Sequence, residues 1–243
     1  VRSLDLKTAE LASSFTMPDC GLWVKKEAFL SAPHQALFLK ISAEQTNGAP
    51  RGGRESRSDE MPGNARTGLS FRILLDSQLK SACSAQGSRL ILSGIAPSYD
   101  APSYLEEEEP VIYEEEPARK GMRFCIMLSV EAKGGSIRAE GNALAVENVE
   151  EAEIRLCIRT SFHGFDRQPF VDGKDETGEC LRDLEGAEAV SFTEAERVHR
   201  EDYAALFDRV DLRLEEPEEK GAEETEETGG EEAKDPGKPH LPE

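Results

Sequence analysis

Four histidines, at positions 34, 163, 199 and 240, are the side chains best suited to proton transfer near neutral pH. No two of them stand in HxH or HExxH spacing, so no zinc-type site is expected. No serine lies in a GxSxG elbow, and no Ser/His/Asp order supports acyl transfer. Paired carboxylates are the machinery of glycoside cleavage, but with 49 Asp and Glu in the chain their pairing along the sequence has no diagnostic value. Glu106–Glu109 and Glu114–Glu116 cluster carboxylates without the Asp/Asn/Gly spacing of a calcium loop, and adjacent like charges favour solvation. Gly52-Gly53 lacks the spacing and the following Lys-Ser/Thr of a phosphate-binding loop. The five cysteines (20, 83, 125, 157 and 180) are odd in number and contain no CxxC. Cys125 and Cys157 fall inside apolar strand patterns, where a thiol behaves as a small hydrophobe.

His163, Phe165 and Asp166 leave a strand into a loop with Pro169 and Gly173, a plausible place for a substrate-side contact. His199 sits beside a helical stripe and is expected to be packed or hydrogen-bonded rather than catalytic. No catalytic residue, metal ligand or cofactor is assigned.

These residues must be positioned by short strands. Leu11, Ser13, Phe15 and Met17 keep period 2, Met17-Pro-Asp-Cys-Gly21 turns, and Leu22–Leu30 and Ala36–Ile41 alternate again. Leu69, Phe71, Ile73 and Leu75 form a further strand, and Arg89–Ser93 a short one. Met122–Ala132 has the strongest alternation. Lys133-Gly134-Gly135 is expected to turn it into a hairpin with Ile137 and Ala139, and Gly141-Asn142 to turn again. Ile154, Leu156 and Ile158 complete the last strand. Turns every eight to twelve residues with little helix before 190 imply an all-β, large antiparallel β-sandwich.

Leu181, Leu184 and Ala187 predict a short helix. Ser191-Phe-Thr-Glu194 fits a capping box that starts a second. In that helix Tyr203, Leu206, Phe207 and Val210 make one stripe, and Val210, Leu212 and Leu214 then alternate as a strand. Residues 45–68 read as a polar, solvated insertion. Residues 215–243 hold twelve acidic residues against three lysines and are expected to be a disordered acidic tail.

Formal charge is −20, and −11 remains without that tail. Affinity for nucleic acid or anionic lipid comes mainly from Lys and Arg against phosphate, so neither a nucleic acid nor a membrane is an expected partner. A neutral sugar is compatible with this charge. No run of about 18 apolar residues occurs. The chain starts at Val1, directly in patterned sequence with no signal peptide visible, and both cytoplasmic and secreted settings fit.

Four blocks in order carry a resemblance: RSLDLKTAELASSFT, VKKEAFLSAPHQALFLKISA, GGSIRAEGNALAVENVEEAEIRLCIRTSFHGFDRQPFVDGKD and HREDYAALFDRVDLRL. Together they resemble the N-terminal sandwich of glycoside hydrolase family 95, mainly bacterial and plant α-L-fucosidases. Lys26-Glu27, Phe29, Ser31 and Pro33 match one block, and Thr160–Asp166 match a T-S-F-x-G-F-D turn. His199, Asp202, Tyr203, Leu206, Phe207, Arg209 and Val210 match an H-x-x-D-Y-x-x-L-F-x-R-V helix. The family's early glycine-rich strand has no counterpart, so the resemblance implies an N-terminally incomplete, supersandwich-like domain over 1–190. A linker helix and strand would follow at 191–214, then the tail at 215–243. It further implies hydrolysis of terminal α-L-fucosyl linkages with inversion, carried out without a cofactor by an (α/α)6 barrel missing from this chain. Fucosylated glycan would be met through the parent protein, and Tyr203, Phe207 and Arg209 would face the barrel. Two other readings stay open: a stand-alone carbohydrate-binding sandwich, or the sandwich of a related glycosidase or phosphorylase.

Overall fold

The alternation along the sequence becomes thirteen strands among the described residues, which are 1–46 and 68–211 of the computed structural model. The first seven are Arg2–Asp5 (β1), Glu10–Met17 (β2), Leu22–Ser31 (β3), Ala36–Gln45 (β4), Leu69–Leu74 (β5), Lys80–Gln86 (β6) and Arg89–Ile95 (β7). The excursion over 95–120 contributes a two-stranded ribbon, Tyr99–Asp100 (β8) with Val111–Ile112 (β9). Arg123–Lys133 (β10), Ser136–Glu140 (β11), Ala143–Val149 (β12) and Glu151–Thr160 (β13) complete the set. Two helices follow, Glu176–Glu188 (α1) and Phe192–Phe207 (α2). Neither is long and apolar enough to cross a membrane.

Eight strands form one antiparallel sheet in the order β1-β2-β3-β4-β13-β10-β7-β6, and β11-β12-β5 form a second. Leu128 and Val130 of β10 and Ala152 and Ile154 of β13 point to one face, where they pack with Leu144, Val146 and Val149 of β12. The opposite face carries Cys125 and Met127 of β10, Cys157 of β13 and Phe29 and Phe38, all packed against Cys180, Leu184 and Ala187 of α1 and Phe192 and Ala195 of α2. The expected all-β sandwich with a C-terminal helix is therefore the observed fold, and the helices add a third layer. The unit so built runs from Val1 to Arg209.

Several expectations are corrected. Lys133-Gly134-Gly135 does not close a hairpin, because β10 pairs with β13 and β7 and β11 pairs with β12. Both glycines have positive φ, 75° and 61°, and they carry the chain from the large sheet into the small one. β6 has no apolar alternation and was not expected. α1 starts at Glu176, capped by Asp175, whose carboxylate accepts the Gly178 N–H at 3.0 Å. Half of the expected capping box is present: Ser191 Oγ accepts the Glu194 N–H at 3.2 Å. Glu194 does not reach back, because its carboxylate is engaged by Arg197 at 2.7 Å. The polar insertion read over 45–68 lies, but for residues 45, 46 and 68, outside the described residues, as do the readings of strand character over 212–214 and of the acidic tail at 215–243.

The crossover sets a test. A Cβ on Gly135 would stand 2.0 Å from the Glu147 carbonyl oxygen, whereas one on Gly141, which has a similar φ, meets nothing within 4 Å. Gly141→Ala is expected to cost about 1–2 kcal/mol from backbone strain alone. Gly135→Ala adds displacement of a strand carbonyl and is expected to cost more than about 3 kcal/mol. Urea unfolding midpoints of the two variants compare them directly.

Candidate functional site

α2 lies across the large sheet because its buried residues, Phe192, Ala195 and His199, fall on one side at helical spacing. Phe192 meets Phe29 edge-on at 5.1 Å between centroids. Lys40 Nζ stands 4.4 Å from the Phe192 ring centroid. From Phe29 a stack of rings runs along the helix. Phe38 lies on Phe29 at 5.2 Å, Phe29 on His199 at 5.0 Å, His199 on Tyr203 at 6.0 Å and Tyr203 on Phe207 at 5.3 Å. Interplanar angles stay between 12° and 30°. The stack starts in the core, where Phe38 is 1% exposed, and ends at Phe207, which is 43% exposed.

Polar contacts fix the helix against the β1–β2 turn. His199 Nε2 lies 2.9 Å from the Thr8 carbonyl oxygen, so that nitrogen donates. Tyr203 Oη donates to the Leu6 carbonyl at 2.9 Å. Arg200 pairs with Glu10 at 2.8 Å. The packed stripe is thus His199–Tyr203–Phe207, offset from the Tyr203–Leu206–Phe207–Val210 stripe read from the sequence. Leu206 and Val210 are exposed, as is Arg209, while Tyr203 is half-buried. His199 is packed and hydrogen-bonded, as its place beside the stripe suggested.

The loop after β13 is held by residues that sequence reasoning passed over. Ser161 is buried, and its Oγ accepts the Arg123 N–H at 3.0 Å. Arg123 Nε reaches Glu176 at 3.0 Å, and its terminal nitrogens donate to the Phe170 and Lys174 carbonyls at 2.5 and 3.2 Å. The Gln168 amide oxygen accepts the Phe170 and Val171 N–H groups, each at 2.6 Å, and its nitrogen donates to the Lys120 carbonyl at 2.7 Å. His163 is engaged with this framework, its Nδ1 3.1 Å from the Asp172 carbonyl oxygen. Phe165 is 98% exposed and Asp166 is exposed beside it. The three loop candidates therefore share a loop without converging on a cavity. A cation at the head of an otherwise apolar run, Arg123 at the start of β10, is the sequence signal that could have pointed to the anchor.

Three thiols lie between α1 and the sheet, with Cys180 Sγ 3.3 Å from the Cys157 carbonyl oxygen. Burial pushes the Cys157 thiol up to about 12. The Cys180 thiol is also raised, chiefly by its hydrogen bond to Cys125. Both therefore stay protonated and serve as packing. Arg155, buried at the end of the same face, pairs with Glu153 at 2.9 Å and Glu131 at 3.2 Å and donates to the Val190 carbonyl at 3.2 Å. It ties the sheet to the α1–α2 junction. Among the described residues no group of three His, Cys, Asp or Glu could hold a metal ion.

What the arrangement offers is a rigid, partly apolar end of α2 rather than reactive groups. The ring stack predicts graded losses of stability. Phe29→Ala should cost about 3–5 kcal/mol, because three rings lose a partner in a closed core. Phe207→Ala should cost less than about 1 kcal/mol, because its outer face already meets water. Chemical denaturation of each variant measures the difference.

Residues 1–164 match the family model described as glycosyl hydrolase family 65, N-terminal domain. Alpha-L-fucosidase 2 of Arabidopsis thaliana is 28% identical over 218 residues, covering 88% of this chain and 23% of that protein. A solved structure described as a kojibiose phosphorylase from the human microbiome aligns over 83% of this chain and 24% of its own, with TM-score 0.49 and 10% identity. The chain thus spans about a quarter of the length of the proteins it matches. The family 95 resemblance is widened by these findings to a glycoside-hydrolase-related N-terminal domain, with the matching model that of family 65. With its whole strand region, residues 1–164, inside that match, the chain belongs to the glycosyl hydrolase family 65 N-terminal domain family.

Proposed function

We propose that this chain is the non-catalytic sandwich of an α-L-fucosidase-like glycoside hydrolase, the family 95 reading, and that its α2 end seats the catalytic (α/α)6 barrel of the parent protein. The observation that carries the sugar assignment is the 28% identity to alpha-L-fucosidase 2 across 88% of the chain. The docking role rests on α2. Phe207 ends a ring stack that is anchored in the core, and it is exposed, as are Leu206 and Arg209 of the same unit. A ring pre-ordered in this way loses little entropy when covered, which favours it as an interface anchor. The 161–175 loop, with Phe165 at its tip, is a second surface available to the barrel or to the approaching glycan.

Two observations weigh against a stand-alone carbohydrate-binding module. Sugar stacking needs several exposed aromatics on one surface, and the exposed rings among the described residues are dispersed: Phe15 on β2, Tyr99 and Tyr104 in the 95–120 excursion, Phe162 and Phe165 in the loop after β13, and Phe207 on α2. Trp23 is partly buried. A related glycosidase or phosphorylase remains the second reading, favoured by the family 65 match.

Purified residues 1–243 are expected to leave nitrophenyl α-L-fucoside intact, and turnover by this chain alone would refute the assignment. In the longer polypeptide, fucose release that needs no phosphate supports the fucosidase reading, and dependence on phosphate supports the second. Phe207→Asp in that longer protein should weaken domain association by about 2 kcal/mol or more, read as separate melting of sandwich and barrel.

A further inference from the structure

The small sheet is narrower than the sheet it covers. β11, β12 and β5 overlie part of an eight-stranded sheet. Beyond β5 the same apolar face continues, and Phe15, Leu37, Leu39 and Leu156 line an open groove of about 610 Å³ together with Phe71 and Ile73 of β5. Phe15 is 44% exposed, and Leu30, at the neighbouring end of this face, is 71% exposed. Single exposed apolar residues are ordinary, but a contiguous apolar face marks a site of interaction. The groove has a second property. β5 pairs only with β12 among the described residues, so its other edge offers unpaired N–H and C=O groups beside the apolar floor. An apolar floor next to a hydrogen-bonding edge specifies an extended strand, whose main chain takes the edge and whose alternate side chains take the floor.

The identity of that strand can be narrowed. A second copy of this chain fits poorly. Antiparallel β5–β5 pairing puts the two-fold axis normal to the sheet, and the copy's own large sheet would then enter the layer that β1–β4 already fill. Each copy also carries a formal charge of −20, which opposes self-association. Within the chain, residues 47–67 offer only Ala49, Met61 and Ala65 as apolar side chains. The Val210–Leu214 stretch follows directly on α2, which packs on the opposite face of the large sheet. The Arabidopsis relative, by contrast, is about four times longer than the stretch it shares with this chain. We propose that an extended strand of alternating apolar residues, supplied by another part of the same longer polypeptide, pairs with β5, fills the groove and widens the small sheet. This does not depend on which sugar the parent protein acts on.

Amide hydrogen exchange across Leu69–Leu74 and fluorescence of 1-anilinonaphthalene-8-sulfonate test it together. In residues 1–243 alone, alternate β5 amides should exchange fast and the dye should bind, with binding reduced several-fold in Leu39→Glu and, as a second variant, Leu37→Gln. A synthetic strand peptide alternating valine with threonine should displace the dye and slow those amides by about tenfold or more. The same peptide with proline at alternate positions, lacking the N–H groups, should do neither. In the longer polypeptide the amides should be protected and the dye excluded without added peptide. Protection of β5 in a monomer of residues 1–243, protection that tracks dimer formation, or dye binding that persists in the longer polypeptide would each overturn the proposal.

Discussion

Strands β10 and β13 bury side chains on both faces, an aliphatic set on one and Cys125, Met127 and Cys157 with the ion-paired Arg155 on the other, and a sheet buried on both faces must be covered twice. Antiparallel sheets commonly leave one side to water. Here the pairing from Phe124–Thr160 to Lys133–Glu151 sits in the middle of the large sheet and leaves neither side free. Leu128, Val130, Ala152 and Ile154 require the small sheet, and Cys125, Met127 and Cys157 require the helices. The layer order, the sharp crossover at Gly134-Gly135 and the placement of α1 and α2 all follow from this requirement. It is met fully at the centre and only partly over β2, β3 and β4, where the second layer stops short.

The helical layer turns a packing need into a presented surface. Aromatic pairs contribute about 0.5–1.5 kcal/mol each beyond area burial, and less as water reaches them. In the stack from Phe38 to Phe207 the inner pairs hold the helix and the outer pair is held by it. His199 is the link that could have failed, being polar within a row of rings. The Thr8 carbonyl accepts its ring N–H and removes the cost of burying it. The loop after β13 obeys the same logic in polar form. Arg123 satisfies the Phe170 and Lys174 carbonyls and Gln168 the Phe170 and Val171 N–H groups, so the exposed Phe165 belongs to an ordered loop. Both candidate surfaces are therefore ordered features at the margin of a sandwich.

What the sequence determined by itself is the set of local choices. Period-2 runs placed most strands, Gly141-Asn142 placed the β11–β12 turn, Ser191 placed the start of α2, and the four ordered blocks pointed to a glycoside-hydrolase-related N-terminal domain. Tertiary structure decided what those choices meet. Period 2 tells which residues share a face but not which strand lies alongside, so β10 paired with β13 and β7 rather than with the strand that follows it. β6 carries small and polar residues and was invisible to pattern, because its place at the sheet edge is set by β7. The candidate site divides in the same way. The types and spacing of Tyr203, Phe207 and Arg209 were legible, because helical stripes are local. The ring stack through Phe29 and the loop anchor at Arg123 were not, because each joins residues far apart in the chain, and only packing brings them within reach.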